Sequence, residues 1–482
     1  MNFKILISVL FAAAIAVVGC DSDNGDGGGG SGGTGGSAGT GGTAGTGGAG
    51  GDGGSGGTEW TPIADCAEAI VHPDGYSIEN APATPTDDCD TTLTATGTND
   101  AAAINAAVEL ASSGDVICLE AGTYDMEGSV TVSSVANLTI KGIGASPNDV
   151  KLDYQGRGDR GFDVTTDGFT IENLWIVNTA GNGVEVKAAD SVFRKLYVTW
   201  DAGSIPENGA YSVYPTKCQD TLVEYVEVVG ASDAGVYVGQ CEGGIVRYNK
   251  VYGNVAGLEV ENSLDVEVYE NDIFDNSGGL LALQEPGLER LSNENILMRN
   301  NYVYCNNREN FARPGTTVSN IPPGTGAMSF AGDGIEIRDN VMDSNISTGM
   351  LVVSNVILCQ VASTDCTYQE GYNPYPENIY VYDNELINNG TDPQAILAQI
   401  AILITAWADG ASDVVWDGYI NAETTEPNIC LGEAERASYT DLTSNQCQDA
   451  ATEGEFIGCI VANNTQDPAG RDCTLPAVVI NN

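Results

Sequence analysis

The residues best suited to chemistry recur at one place in a repeating pattern. A glycine or serine followed by an alternating tetrapeptide appears at Gly183 (GVEV), Ser212 (SVYP), Gly235 (GVYV), Gly257 (GLEV) and Gly279 (GLLA), in steps of 29, 23, 22 and 22 residues. In an extended strand successive side chains point to opposite faces. One set, Val184, Val186, Val213, Val236, Val238, Leu258, Val260 and Leu280, turns inward. The other set, Glu185, Tyr214, Tyr237, Glu259 and Leu281, forms an outward column that Glu261 extends by two residues. Carboxylates so placed can accept hydrogen bonds from sugar hydroxyls, and tyrosine rings can stack on a sugar face. A solvated face would show the same pattern. Because burying an unpaired carboxylate is costly, the register predicts an exposed column.

A second group stands off the repeat. Residues 306–325 bring Arg308, Glu309, Phe311 and Arg313 together between Pro-rich turns. An insertion on a rigid scaffold is where function concentrates. Arg308 and Arg313 are therefore candidates for ligand contact, and the plainer expectation is a salt-bridged loop over the coil edge. Histidine occurs once, as His72, which excludes a metal or acid–base site built on two histidines.

Composition narrows the partners. Across 482 residues, 18 Lys and Arg stand against 67 Asp and Glu, a formal charge of −49. Nucleic acid would be repelled, and no basic stripe offsets that. A carboxylate-rich face would also repel an anionic glycan unless calcium bridged the two, so calcium is the one cofactor left open.

The elements that must hold these residues are legible in the same repeat. Periods near 22 suit a right-handed parallel β-helix, an all-β solenoid in which three short strands and their turns make one coil. Asn249, Asn271, Asn301, Asn340 and Asn384 track the repeat and form a ladder of stacked amides. A helix over 100–111, with Asn99 or Asp100 at its start, caps coils running from about 112 to 410. Residues 391–404 lack the repeat's marks and are expected to form a covering helix or a final coil.

Thirteen cysteines fit an exported protein. Cys218 and Cys241 occupy equivalent places one coil apart, and stacked strands lie about 4.7–4.9 Å apart, within disulfide reach. Proximity in sequence suggests Cys66–Cys89, Cys359–Cys366, Cys430–Cys447 and Cys459–Cys473, which leaves Cys118 and Cys305. Residues 1–19 read as a signal peptide, with Lys4 before an apolar run over 5–18. Val17-Val18-Gly19-Cys20 resembles a bacterial lipobox, which implies acylation of Cys20 and a lipid bilayer as partner. Removing Cys20 leaves an even number of cysteines to pair. Residues 21–57 are a Gly-rich tether with a reach of about 30–35 Å. The organisation expected is thus signal peptide 1–19, lipidated cysteine and tether 20–57, lead-in 58–97, coil 98–419 and a Cys-rich cap 420–482. This places the protein in the cell envelope, with inner and outer membrane both open.

Longer motifs carry a family likeness. NGAYSVYP (208–215), SDAGVYVGQ (232–240), NVAGLEVENS (254–263), GGLLALQEPGL (278–288), NFARPGTTVSNIPPGTG (310–326) and NPYPENIYVYDN (373–384) resemble bacterial exported proteins with right-handed parallel β-helix repeats. VVWDG (414–418) and NIC (428–430) resemble their closing segment. The resemblance implies a pectate-lyase-like coil, an exported or lipid-anchored state and, through gene neighbourhood, a c-type cytochrome partner. It implies no particular activity. Galacturonan hydrolases of this fold use a Gly-His-Gly motif and alginate epimerases a Tyr-Gly-x-Asp-Pro-His motif, and both are absent. A lyase needs a basic residue beside its carboxylates, and Lys187 is the only cation adjacent to the column. The function expected is a binding or scaffold module for a glycan or an envelope protein. The alternative is a polysaccharide lyase or epimerase.

Overall fold

A computed structural model describes residues 60–66, 76, 78–362, 366–404, 407–421, 429–432 and 437–480. The segments expected to be signal peptide and tether, with Cys20, and His72 lie outside the described residues. Short parallel strands stack in three columns, joined into a 20-stranded and an 11-stranded sheet. The first column runs from Thr91–Leu93 to Ile429–Leu431 and the second from Gly122–Asp125 to Glu385–Ile387. The third runs from Val130–Val132 to Tyr439–Asp441. The coil is a right-handed parallel β-helix, as the repeat predicts.

The register is the one read from the Gly positions. Val184, Val213, Val236, Leu258 and Leu280 pair in line across five coils of the third column. All five are fully buried in the coil interior. The amide ladder is also present. Asn249, Asn271, Asn301 and Asn340 each donate a side-chain N–H to the Oδ1 of the next ladder residue at 2.9 Å, ending on Asn384. A second ladder, five residues on in every coil, links Asn254, Asn276, Asn306, Asn345 and Asn389 at 3.0–3.2 Å. Its members turn the chain out of the second column as the first ladder turns it in.

Both ends depart from expectation. The helix Asp100–Leu110 forms, but the strand Thr91–Leu93 precedes it and pairs with Val116–Leu119. The helix therefore sits within the first coil, where Ala101, Ile104 and Val108 close the core against Val130–Val132. Asn99 makes no side-chain cap. Instead the Asp100 carboxylate accepts the backbone N–H groups of Thr96, Gly97 and Asp125. At the far end, Ile429–Leu431 and Tyr439–Asp441 continue the columns beyond 410–419. Residues Ala395–Ala401 are a helix, but one that packs outside the coil before its last strands.

Among the described residues six disulfides use all twelve cysteines. Cys218–Cys241 spans adjacent coils with a Cα separation of 4.4 Å, and Cys359–Cys366 closes a short loop. The other three local pairings are wrong: the bonds are Cys66–Cys305, Cys89–Cys118, Cys430–Cys473 and Cys447–Cys459. Coiling brings distant segments within Cα reach, so neighbourhood in sequence is a poor guide to pairing.

Candidate functional site: a covered cluster of carboxyl groups

The outward column exists as read. Glu185 pairs with Tyr214, Tyr237 with Glu259, and Glu259 with Leu281, along the outer side of the third column. Its exposure does not. Glu185 is 1% exposed, Glu259 2%, Tyr237 4% and Leu281 fully buried. A second layer covers this side. Val318 and Ile321 of the 306–325 insertion lie over it, with the helices Val356–Ala362, Ala395–Ala401 and Glu453–Asn463 farther along. Together they bury Leu281, Leu283, Met328, Phe330 and Leu351 in a second apolar core. The outward set changes along the coil from carboxylates and tyrosines to aliphatic residues, and the apolar end drives the covering.

At the polar end three tyrosines lock together. Tyr211 stacks on Tyr214 at 4.4 Å and meets Tyr237 at 4.6 Å, while Tyr237 stands edge-on to Tyr214 at 5.0 Å. Glu185 resolves its burial with charge. Burial works against its ionised form, but Arg160, Lys187 and Asn182 outweigh that and hold its carboxyl below the usual range.

Deeper in, four carboxyl groups have no cation bonded to them among the described residues, and only Asp233 feels one, the charge of Arg313. Glu259, Glu261 and Glu285 are buried and Asp233 is half-buried. Burial pushes all four upward, Asp233 to about 7. Repulsion from neighbouring acids adds to the rise for Asp233, Glu259 and Glu285, while hydrogen bonds with Tyr237 and Glu259 partly offset it for Glu261. Glu259 hydrogen-bonds Glu261, and Tyr237 also reaches Glu261. Tyr211 hydrogen-bonds Asp233, and Thr317 hydrogen-bonds Glu285. Glu259 Oε2, Glu285 Oε1 and Asp233 Oδ1 have no hydrogen-bond partner. The shifts favour the protonated forms, because a shared proton costs less than adjacent buried charges.

The two arginines of the insertion serve different ends. Arg308 bonds the Asp275 carboxylate at 2.5 Å and its carbonyl at 3.0 Å, the salt-bridged edge loop of the plainer reading. Arg313 is exposed and donates to the Pro206 carbonyl at 2.8 Å and the Asn208 carbonyl at 2.9 Å. Its charge also acts on Asp233. The structure thus brings Tyr214, Tyr237, Glu259, Glu261 and Arg313 into one region, with Glu185 at its margin and Arg308 apart. Asp233, Glu285 and Tyr211 were missed. Asp233 and Glu285 stand in the quoted motifs SDAGVYVGQ and GGLLALQEPGL, but at strand ends, where alternation gives no facing. Among the described residues no group of three His, Cys, Asp or Glu is arranged to hold a metal ion.

Solved structures with distant likeness include the A-module of a mannuronan C-5 epimerase from Azotobacter vinelandii. It is 13% identical over 71% of this chain and 90% of that one, with a TM-score of 0.42. The catalytic unit of an α-1,3-glucanase from Streptomyces thermodiastaticus is 14% identical over 73% and 52%, with a TM-score of 0.39. An alginate lyase from a Paenibacillus species is 16% identical over 61% and 95%, with a TM-score of 0.29. A comparison with curated proteins finds no match. The family described as the right-handed β-helix region matches residues 125–287 and, overlapping them, 184–368. With half of its length matched, the chain belongs to the right-handed β-helix family.

Proposed function

We propose that the outer side of the third column is a polysaccharide site at which Asp233 moves a proton, so that the protein is a carbohydrate-active enzyme. The observation that carries this reading is the carboxyl cluster. Four acids gathered without an internal cation, three of them with an unpartnered oxygen, weaken the fold rather than strengthen it. Such local violations of packing rules concentrate at functional sites. Asp233 is the half-buried member, and a carboxyl near 7 is matched to acid–base work at neutral pH. Tyr211 and Tyr214, also half-buried, offer ring surface and hydroxyls beside it. Because burial favours the protonated forms, the cluster would not repel an anionic glycan as ionised carboxylates would. No calcium bridge is then needed. The lyase or epimerase alternative fits this site, since both reactions begin by removing a proton, which the ionised fraction of Asp233 at neutral pH can accept.

A second reading is a module that binds a glycan without turnover. It is favoured by the sealing of Glu259 and Glu285 beneath the covering layer. Turnover of neutral and uronic polysaccharides, followed by new reducing ends, unsaturated products and proton exchange, separates the two. Under the enzyme reading Asp233→Asn lowers kcat at least a hundredfold and removes a pH limb near 7, with binding retained. No turnover on any polymer by the native protein would leave only the binding module. In either case we propose that acylated Cys20 holds the protein on the envelope membrane, supported by the pairing of all twelve described cysteines with one another.

A further inference from the structure

We infer that the corner between the third and first columns carries a subsite for an anionic glycan, whose carboxylate or sulfate groups are gripped by Lys187, Lys217 and Arg290. The inference rests on the polysaccharide reading above and names the substrate class. These three cations line one groove of about 700 Å³ with Gln219, Gln240 and the acids Asp167, Glu242 and Glu289. Across the whole chain acids exceed bases by 67 to 18, so a groove with equal numbers of each is an electrostatic exception.

The acids of the groove are held loosely or are occupied. Lys217 bonds Glu289 at 2.8 Å, but the Glu289 side chain is 78% exposed. Arg290 lies 3.4 Å from Glu242, whose side chain is 58% exposed. Exposed pairs of this kind contribute little, so an incoming anion can replace either carboxylate at small cost. Asp167 is engaged with the Ala189 backbone N–H. The bases, by contrast, stand on a fixed floor. Lys217 adjoins the Cys218–Cys241 disulfide, and its backbone N–H bonds the Gly239 carbonyl. Asn262 clamps the loop that bears Arg290, donating to the Glu285 and Arg290 carbonyls at 2.9 and 2.6 Å.

Position links the groove to the carboxyl cluster. Lys187 bonds Glu185, the first member of the outward column, at 2.6 Å. Glu285 belongs to the cluster and begins the loop that ends in Arg290. Lys187 and Lys217 lie just beyond the paired strands Asn182–Val186 and Val213–Pro215, on adjacent coils. The amides of Gln219 and Gln240 supply donors and acceptors for hydroxyls.

The test uses the full-length protein in detergent, titrated with polygalacturonate, dextran sulfate and unsubstituted dextran at low salt. We expect the charged polymers to bind more tightly than dextran and to weaken as salt rises. Lys217→Gln with Arg290→Gln should weaken a charged polymer at least about tenfold and leave dextran unchanged. Which charged polymer responds tells carboxylate from sulfate recognition. Native circular dichroism in the double variant secures the fold, because both side chains reach solvent. Equal affinity of variant and native protein for both charged polymers, or no binding of either, overturns the subsite. The polysaccharide reading stands or falls separately, on turnover and on the loss of dextran or polyuronate binding in Tyr214→Ala.

Discussion

Buried carboxylic acids set the energetics at the scale of single residues. The unfolded chain ionises Glu259 and Glu285 in the ordinary carboxylate range near 4.5, while the folded chain keeps their protons to higher pH. The folded state thus binds more protons above that range, and stability falls as pH rises from about 4.5 toward and beyond neutrality. This is the reverse of the usual contribution from salt-bridged acids. Glu259→Gln should therefore raise stability at pH 7 by about 1 kcal/mol and flatten its fall above pH 4.5, as urea titrations at several pH values would show. Unchanged stability at neutral pH would mean that the cluster is solvated. Tyr237→Ala is expected to cost about 3 kcal/mol, since its ring is 4% exposed between Tyr211 and Tyr214. Exposure inferred from alternation alone would have predicted almost no loss.

Among the elements, the two asparagine ladders and the covering layer matter most. Asn271 accepts the backbone and side-chain N–H groups of Asn249 and donates to Asn301, Val246 and Tyr269. Asn271→Ala leaves several of these groups buried without partners and should cost about 3 kcal/mol. Asn384→Ala, at the half-buried end of the same ladder, should cost about 1 kcal/mol, because water can replace the amide. Equal losses on chemical denaturation would contradict a ladder whose strength depends on burial. The second ladder was legible from an Asn-x4-Asn spacing that repeats from 249/254 to 384/389, a signal that was present and unread. The covering layer was not legible, because Val318, Ile321 and the later helices belong to no repeat and their target is remote in sequence.

On the scale of the whole molecule, charge dominates. A formal charge of −49 favours solubility and repels acidic surfaces, and added salt should ease self-repulsion. Under the proposed anchor, Cys20→Ser should shift the protein from the membrane fraction to the soluble one after detergent-free lysis. Retention in the membrane fraction would remove acylation from the account. Cys66–Cys305 joins residues 239 apart in sequence, so the segment around Cys66 is fixed to the middle of the coil.

The sequence by itself determined the coil, its register, the first ladder and the Cys218–Cys241 bond. Each follows from a spacing that repeats locally, and stacking identical coils turns a local spacing into a contact. It did not determine whether the outward column meets water. Alternation says which side of a strand a residue faces, not what else packs on that side. Only the tertiary structure decided that, when the 306–325 insertion and three later helices buried the aliphatic half of the column and closed over the acids beside it. The pairing of the remaining cysteines was decided in the same way, by proximity that coiling creates and linear order does not record.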